Sequence, residues 1–182
     1  MRRVMIIGQP GSGKTTLARA IGEIAHLPVV HIDRIHWQAG WVERNWAEKS
    51  RLCVAAAERP AWVFEGGHRV TWPDRLARAD TLIWIDLPVS LRLWRVTRRT
   101  ATGWHRTRAD LPDDCPERFD PAFYRYIWQT RKTGRAHCAA FFASADTRKA
   151  AHHLRRPADV STYLAALRRA ARGGNLGISH RG

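Results

Sequence analysis

The chain has 182 residues, of which 45% are hydrophobic and 26% are charged; this suits one domain with a sizeable core and excludes a low-complexity disordered chain. Its 31 basic and 16 acidic residues leave a net charge of +15, which favours an anionic partner: nucleotide phosphates, nucleic acid or an acidic surface. The three cysteines are too few and too scattered for a disulfide framework, and no apolar run has membrane-spanning length. We therefore expect a cytoplasmic protein without a membrane partner, whose oligomeric state the sequence leaves open.

A glycine-rich segment separates the first apolar run, residues 4–7, from an amphipathic helical pattern over about 14–26. It fits the spacing G-x-x-x-x-G-K-[ST] and reads Gly8-Gln9-Pro10-Gly11-Ser12-Gly13-Lys14-Thr15-Thr16. Glycines let consecutive backbone N–H groups face phosphate oxygens, and the helix dipole adds to that attraction. The pattern predicts an ATP-binding phosphate loop over residues 8–16. Lys14 would also be catalytic by holding the β- and γ-phosphates, and the Thr15 hydroxyl would bind Mg²⁺.

An acid and several tryptophans follow the second apolar run, residues 29–32. Ligands of open parallel sheets lie at the carboxyl ends of the strands, so we expect Asp33 to face the phosphate loop. There it would be catalytic and contact the acceptor, although a helix or turn cap is the alternative. The residues that follow, about 34–60, predict an acceptor-binding arm in which Trp37 contacts the acceptor. Simple packing of the tryptophans onto the domain is equally open.

The third and fourth apolar runs, residues 61–64 and 81–85, also end in polar residues. Gly66 would permit close approach of the acceptor to the backbone, although a turn explains the glycine pair almost as well. Arg75 would bind the anionic group of the acceptor. A structural ion pair is the alternative for Arg75. Asp86, directly after the fourth run, could act as the acid of a Walker B strand.

The segment from residue 92 to residue 108 contains six arginines and no acid. Guanidinium groups match phosphate oxygens in bidentate fashion, so the density predicts a flexible lid over about 100–122. Arg95 and Arg99, with Arg131 and Arg135 further along the chain, would close on the phosphates as catalytic or clamping groups. A solvated basic face is the alternative.

The remaining pattern predicts helices to about residue 142 and over 158–172, a fifth strand over 149–154, and a flexible tail over 173–182. Alternating strands and helices predict a three-layer α/β fold with a five-stranded parallel sheet in one domain, residues 1–172.

The sequence as a whole resembles the small adenylate-kinase-like P-loop proteins described as topology modulation (FlaR-like) proteins. The resemblance runs to about Leu167 and implies a nucleoside-monophosphate-kinase-like core, sheet order 2-3-1-4-5, ATP binding and a lid. The residues that carry it are Met5-Ile6-Ile7-Gly8 with the phosphate loop, His31-Ile32-Asp33 with Trp37, Gly40-Trp41, Trp62-Val63-Phe64-Glu65-Gly66 with Arg75, Ala79-Asp80-Thr81, Ile85-Asp86-Leu87-Pro88, Arg95-Val96, Cys115-Pro116-Glu117, and Trp128 with Arg131 and Lys132.

These features predict an ATP- and Mg²⁺-dependent kinase that transfers the γ-phosphoryl group to a small anionic or hydroxylated acceptor. The alternative is a nucleotide switch that binds nucleic acid or modulates DNA topology through its basic surface. Arginines concentrated at a predicted lid favour the kinase.

Overall fold

The computed structural model describes residues 1–145 and 149–173. It contains seven strands in these residues: β1 Arg3–Gly8, β2 Val29–His31, β3 Trp37–Gln38, β4 Val42–Glu43, β5 Trp62–Glu65, β6 Thr81–Ile85 and β7 Ala150–Leu154. The same residues form eight α-helices: α1 Lys14–Ala25, α2 Ile32–His36, α3 Trp46–Glu58, α4 Trp72–Arg78, α5 Val89–Thr102, α6 Pro121–Gln129, α7 Thr133–Ala143 and α8 Pro157–Arg172.

Five strands form the main sheet, in the order β2-β5-β1-β6-β7, and all of them are parallel. Counted among themselves, these strands have the order 2-3-1-4-5, as expected. The register pairs Met5 of β1 with Phe64 on one side and with Leu82 on the other. The carboxyl ends of β1, β2 and β5 therefore meet at one edge of the sheet.

Helices cover both faces of this sheet, which explains why its central strands are apolar without alternation. One hydrophobic cluster joins Ile6 and Val63 to Leu17 and Ile21 of α1 and to Leu167 of α8. The opposite cluster joins neighbouring strand residues to α3, α4 and α7, with members that include Met5, Trp62, Phe64, Cys53, Ala57, Leu76 and Cys138. The three-layer α/β prediction is confirmed.

The predicted lid corresponds to the end of α5 and to residues 103–120, which we call the lid segment. Two isolated bridges, Trp104–Glu117 and Thr107–Pro116, fold this segment back on itself. Its Leu111 and Cys115 side chains are buried. The indole of Trp41, beside the short β3–β4 hairpin, donates a hydrogen bond to the carbonyl of Pro116.

The predicted tail lies outside the described residues from position 174 onward. Within residues 1–145 and 149–173, none of the helices combines the length and the apolar character needed to span a membrane.

Candidate active site

A cleft of about 1520 Å³ opens at the carboxyl edge of the sheet. Its walls come from the phosphate loop, α2, the turn after β5, α5, the lid segment and the α6–α7 region. The cleft brings together most of the predicted site residues: the whole phosphate loop with Asp33, Trp37, Gly66, Arg95 and Arg99. Arg75 and Arg131 are not among the residues that line it.

The phosphate loop has the backbone conformation that its glycines permit. Gly11 and Gly13 have φ values of 77° and 95°, in the left-handed region that favours glycine. A Cβ atom on Gly11 would lie 2.5 Å from the carbonyl oxygen of Arg92, so a larger residue does not fit. The ammonium of Lys14 donates to the Gln9 carbonyl at 3.1 Å, across the loop.

One polar atom of the loop fits a role in holding phosphate. The hydroxyl of Ser12 is buried and has no hydrogen-bond partner among the described residues. A buried hydroxyl without a partner is costly, and a bound anion would remove that cost. The loop residues therefore suit a nucleotide phosphate chain.

Two arginines of α5 donate hydrogen bonds to backbone carbonyls of the phosphate loop. Arg92 is only 2% exposed and donates to the carbonyls of Pro10, at 3.2 Å, and Leu87. Arg95 donates to the Ser12 carbonyl at 3.0 Å. Arg92 and Arg95, which belong to the basic run that predicts a lid, therefore stabilise the phosphate loop. The sequence counts Arg92 in the basic run that predicts the lid, and its role in the loop is not evident there because Pro10 lies 82 residues away in the chain.

The acid beside Thr15 is Glu65, the last residue of β5. Its carboxylate is 2% exposed and accepts hydrogen bonds from the Thr15 hydroxyl, at 3.1 Å, and from Nδ1 of His31, at 2.9 Å. Because the Thr15 hydroxyl donates its hydrogen bond to Glu65, the lone pairs of the hydroxyl oxygen are available to a cation. The acid beside the predicted Mg²⁺ ligand is therefore Glu65, whereas the sequence suggests Asp86 as the acid of a Walker B strand.

Asp86 is engaged elsewhere, which corrects its interpretation as a Walker B acid. Its carboxylate receives hydrogen bonds from Arg135, at 2.8 to 3.1 Å, and from Nε2 of His153, at 3.1 Å. Burial alone would raise the pKa of Asp86, but these two donors outweigh burial and lower it. Arg135, expected to close on the phosphates, is held on this second acid.

Asp33 lies in the first turn of α2 and lines the cleft. Burial raises the pKa of its carboxyl, and the negative charge of Glu65 raises it further. The opposing charges of Arg108 and Lys14 reduce this effect without cancelling it. A carboxyl with a raised pKa at a cleft wall is typical of a group that takes a proton or meets a cation.

Arg75 has a different position from the one expected. Its side chain has no exposed surface, and its guanidinium donates to the carbonyls of Gly66, Gly67 and His68. The guanidinium also lies 4.5 Å from the ring centroid of Phe64. Burial lowers the pKa of Arg75 to about 10. Arg75 therefore fixes the turn after β5 rather than forming part of the cleft wall.

Gly66 occupies the turn that Arg75 supports, and it does line the cleft. Its φ value is 112°, and an added Cβ would lie 2.0 Å from Cγ2 of Ile32. Only glycine fits this position without displacing α2. The close backbone approach expected at Gly66 is therefore made to Ile32 of α2 within the protein.

The lid arginines make ion pairs with acids of the lid segment. Arg99 and Arg108 lie 3.1 and 2.7 Å from the carboxylate of Glu117, which is 5% exposed. Arg108 also pairs with Asp110 at 3.1 Å. Arg131 stacks its guanidinium 4.1 Å from the ring centroid of Trp128 and donates to that residue's carbonyl, outside the cleft lining.

Several cleft residues escaped sequence reasoning. Pro157, Val160 and Leu164 of α8 line the end of the cleft beside α1. Because Pro157 closely follows the fifth strand, the rule for carboxyl ends could have found it. His36 and Lys49 also line the cleft, and no local spacing marks them, whereas His68 follows the end of β5 at the edge that the rule for carboxyl ends predicts.

Comparison with known proteins agrees with this geometry. A family model described as ATPase family associated with various cellular activities (AAA) matches residues 4–64, which contain β1 and the phosphate loop. No curated protein matches the chain.

Solved structures match it over nearly its whole length. Shikimate kinase from Acinetobacter baumannii in complex with shikimate has 14% identity and a TM-score of 0.54, with 97% of this chain and 96% of that chain covered. A gluconokinase from Sinorhizobium meliloti has 18% identity and a TM-score of 0.52, with 94% of each chain covered. Shikimate kinase from Bacteroides thetaiotaomicron has 17% identity and a TM-score of 0.54, with 94% of this chain and 98% of that chain covered.

The molecule is therefore a P-loop protein with a kinase-like α/β fold. At identities of 14–18% the likeness to these structures extends to the fold alone.

Proposed function

We propose that the protein is an ATP-dependent phosphotransferase that moves the γ-phosphoryl group of ATP to a hydroxyl of a small acceptor. The observation that carries this proposal is the convergence of the phosphate loop, the Thr15–Glu65 pair and Asp33 on one cleft. Two of the fold neighbours are named as kinases of small molecules, which supports an acceptor of that kind. The resemblance to adenylate-kinase-like topology modulation proteins supports the same reaction class.

The phosphate loop and Lys14 would hold the nucleotide. Lys14 and the loop N–H groups bind the β- and γ-phosphates, and residues 8–16 fix their position. The Thr15 hydroxyl would hold Mg²⁺, with Glu65 orienting that hydroxyl. When bound, Mg²⁺ neutralises phosphate charge.

Asp33 would act on the acceptor. Its carboxylate accepts the hydrogen bond of the acceptor hydroxyl and takes the proton as the oxygen forms its bond to the γ-phosphorus. The bond between that phosphorus and the bridging oxygen breaks, and ADP leaves with the electron pair. Arg95, which donates to the Ser12 carbonyl, would stabilise the transferred group, and Arg99 would do so after leaving Glu117. Arg131 would have to leave Trp128.

The test compares Lys14→Ala with Lys132→Met, a substitution of an exposed lysine outside the cleft lining. We expect wild type and Lys132→Met to bind ATP in calorimetry and to release ADP. Lys14→Ala should lose ATP affinity by at least tenfold and retain its circular dichroism spectrum and melting temperature. Equal ATP affinity in all three proteins would contradict the assignment of the phosphate loop.

A second candidate is a nucleotide-dependent nucleic-acid-binding protein. The exposed Trp94 and Trp128 each carry a nearby arginine, with Arg98 at 5.6 Å and Arg131 at 4.1 Å from the ring centroids. Exposed aromatic rings with cations can stack bases and contact phosphates. A mobility-shift titration with single-stranded DNA, at two salt concentrations, separates the candidates, because phosphate contacts weaken steeply with salt.

A further inference from the structure

Lys49 of α3 is a buried cation in the wall of the cleft. Its side chain is 6% exposed, yet the residue lines the cleft. The closest partner of its ammonium is Nδ1 of His36, at 2.8 Å, and the nearest carboxylate, that of Glu43, lies 3.6 Å away and is 60% exposed. The ammonium also lies 5.2 Å from the ring centroid of Trp46. A buried ammonium whose ion pair is with a largely exposed carboxylate is incompletely compensated, and an anion in the cleft would add to that compensation.

We propose, building on the proposed function, that Lys49 binds the carboxylate of a hydroxylated carboxylic acid whose reacting hydroxyl lies at Asp33. Asp33 and His36 are three residues apart on α2, so their side chains project from one face of the helix. Such positions have Cβ atoms roughly 5–6 Å apart. The Lys49 ammonium lies 2.8 Å from Nδ1 of His36, and all three residues line one cleft, so an acceptor whose hydroxyl lies at Asp33 would direct its carboxylate to Lys49.

The charge of this wall suits one negative charge. Burial, followed by the charge of Lys49, lowers the pKa of both His36 and His68, that of His68 to about 4. Both imidazoles are consequently neutral at pH 7 and add no positive charge to the ammonium. His68 is held by Ser50, whose hydroxyl lies 2.8 Å from its Nε2, and by the Trp46 ring at 4.6 Å.

The arginines of this wall favour a carboxylate over a phosphate monoester. A phosphate monoester carries roughly −1.5 to −2 charges at pH 7 and a carboxylate one, so a wall with one available cation suits the carboxylate. Arg75 is fully buried and its guanidinium is taken up by three carbonyls of the turn after β5. Arg69 is exposed and bonded to His137. With these two arginines engaged, Lys49 supplies a single positive charge to this part of the wall.

The test measures phosphoryl transfer from ATP to hydroxylated carboxylates, to their matched neutral amides and to phosphate monoesters. D-gluconate, shikimate, gluconamide and AMP are the first probes, followed by a wider panel of hydroxy acids. We expect transfer to carboxylates only. Lys49→Met should raise the acceptor KM at least tenfold, change kcat less than threefold and leave ATP affinity unchanged. Lys49→Arg, which keeps the charge, should recover most of the lost KM, and Lys132→Met should match wild type.

Three results would overturn the assignment: best transfer to an amide or a phosphate monoester, no transfer to any carboxylate, or an unchanged KM in a folded Lys49→Met protein. Each of these leaves the proposed function intact if ATP binds and Lys14→Ala abolishes that binding. Loss of ATP binding by wild type would instead remove the proposed function itself.

Discussion

Two carboxylates at the carboxyl edge of the sheet have opposite surroundings. Asp86, after β6, receives donors from Arg135 and His153, and its pKa is lowered. Asp33, after β2, is half-buried and repelled by the carboxylate of Glu65, and its pKa is raised. Both acids follow apolar strands and look alike in the sequence. The difference lies in which partners the fold brings to each, and only the acid without a close donor is suited to receive a proton or face a cation.

This contrast predicts unequal losses of turnover. Asp33→Asn should lower phosphoryl transfer by at least tenfold, on the order of 10²-fold, because an amide cannot accept the proton of the acceptor hydroxyl. Asp86→Asn, the matched change, should lower transfer less than threefold. ADP release with an accepted substrate measures both, and calorimetry should show ATP bound by each variant. Equal losses would mean that Asp33 has only a structural role, such as capping α2.

The same pair predicts opposite changes in stability. Because the folded state lowers the pKa of Asp86, its carboxylate stabilises the protein above the unfolded pKa, near 3.8, and this contribution is lost as pH falls. Asp86→Asn should therefore cost roughly 1.5–3 kcal/mol at pH 7, the usual range for hydrogen bonds to a charged group. The cost should shrink towards pH 3.

For Asp33 the dependence of stability on pH has the opposite sign, because its pKa is raised. A raised pKa means that the folded state holds the proton more tightly than the unfolded chain does, so stability declines as pH rises from the unfolded pKa through the higher folded pKa. At pH 7 Asp33→Asn should then be more stable than wild type while being less active. Urea unfolding at pH 7 and pH 4 checks both signs. A destabilised Asp33→Asn at pH 7 would show that the carboxylate is favourably paired.

The positions of Asp33 and Asp86 can be predicted from the sequence, but their partners cannot. The phosphate loop and the strand order follow from local spacing and from the resemblance, and both agree with the structure. The rule for carboxyl ends places Asp33 and Asp86 at the same edge. It cannot distinguish them, because the donors to Asp86 stand 49 and 67 residues further along the chain.

Long-range packing decides the remaining differences. Arg75 looks like any arginine after a glycine pair, yet the turn after β5 folds three carbonyls onto its guanidinium. The sequence of α3 alone does not distinguish Lys49 from other helix residues; its contact with His36 of α2 depends on the packing of the two helices. Side chains that acquire their role from a distant backbone or helix carry no local signature in the sequence.

The smallest expected effect concerns Glu65, which connects the two functions of the cleft. Glu65→Gln removes a negative charge that raises the pKa of Asp33, so the acid limb of the pH profile of turnover should move to lower pH. The same change weakens the acceptor of the Thr15 hydroxyl, and the Mg²⁺ concentration for half-maximal turnover should rise about tenfold. Glu58→Gln, at a 60% exposed side chain paired with Arg78, is the matched control and should change neither.

These two readouts separate the two roles of Glu65. If the Mg²⁺ requirement rises while the acid limb stays in place, Asp33 does not titrate in the observed range and its charge is set by other groups. If the acid limb moves while the Mg²⁺ requirement is unchanged, the Thr15–Glu65 hydrogen bond serves only to pack α1 against β5. Movement of both is expected, because one carboxylate accepts from the cation-binding hydroxyl and also repels the acid that takes the proton.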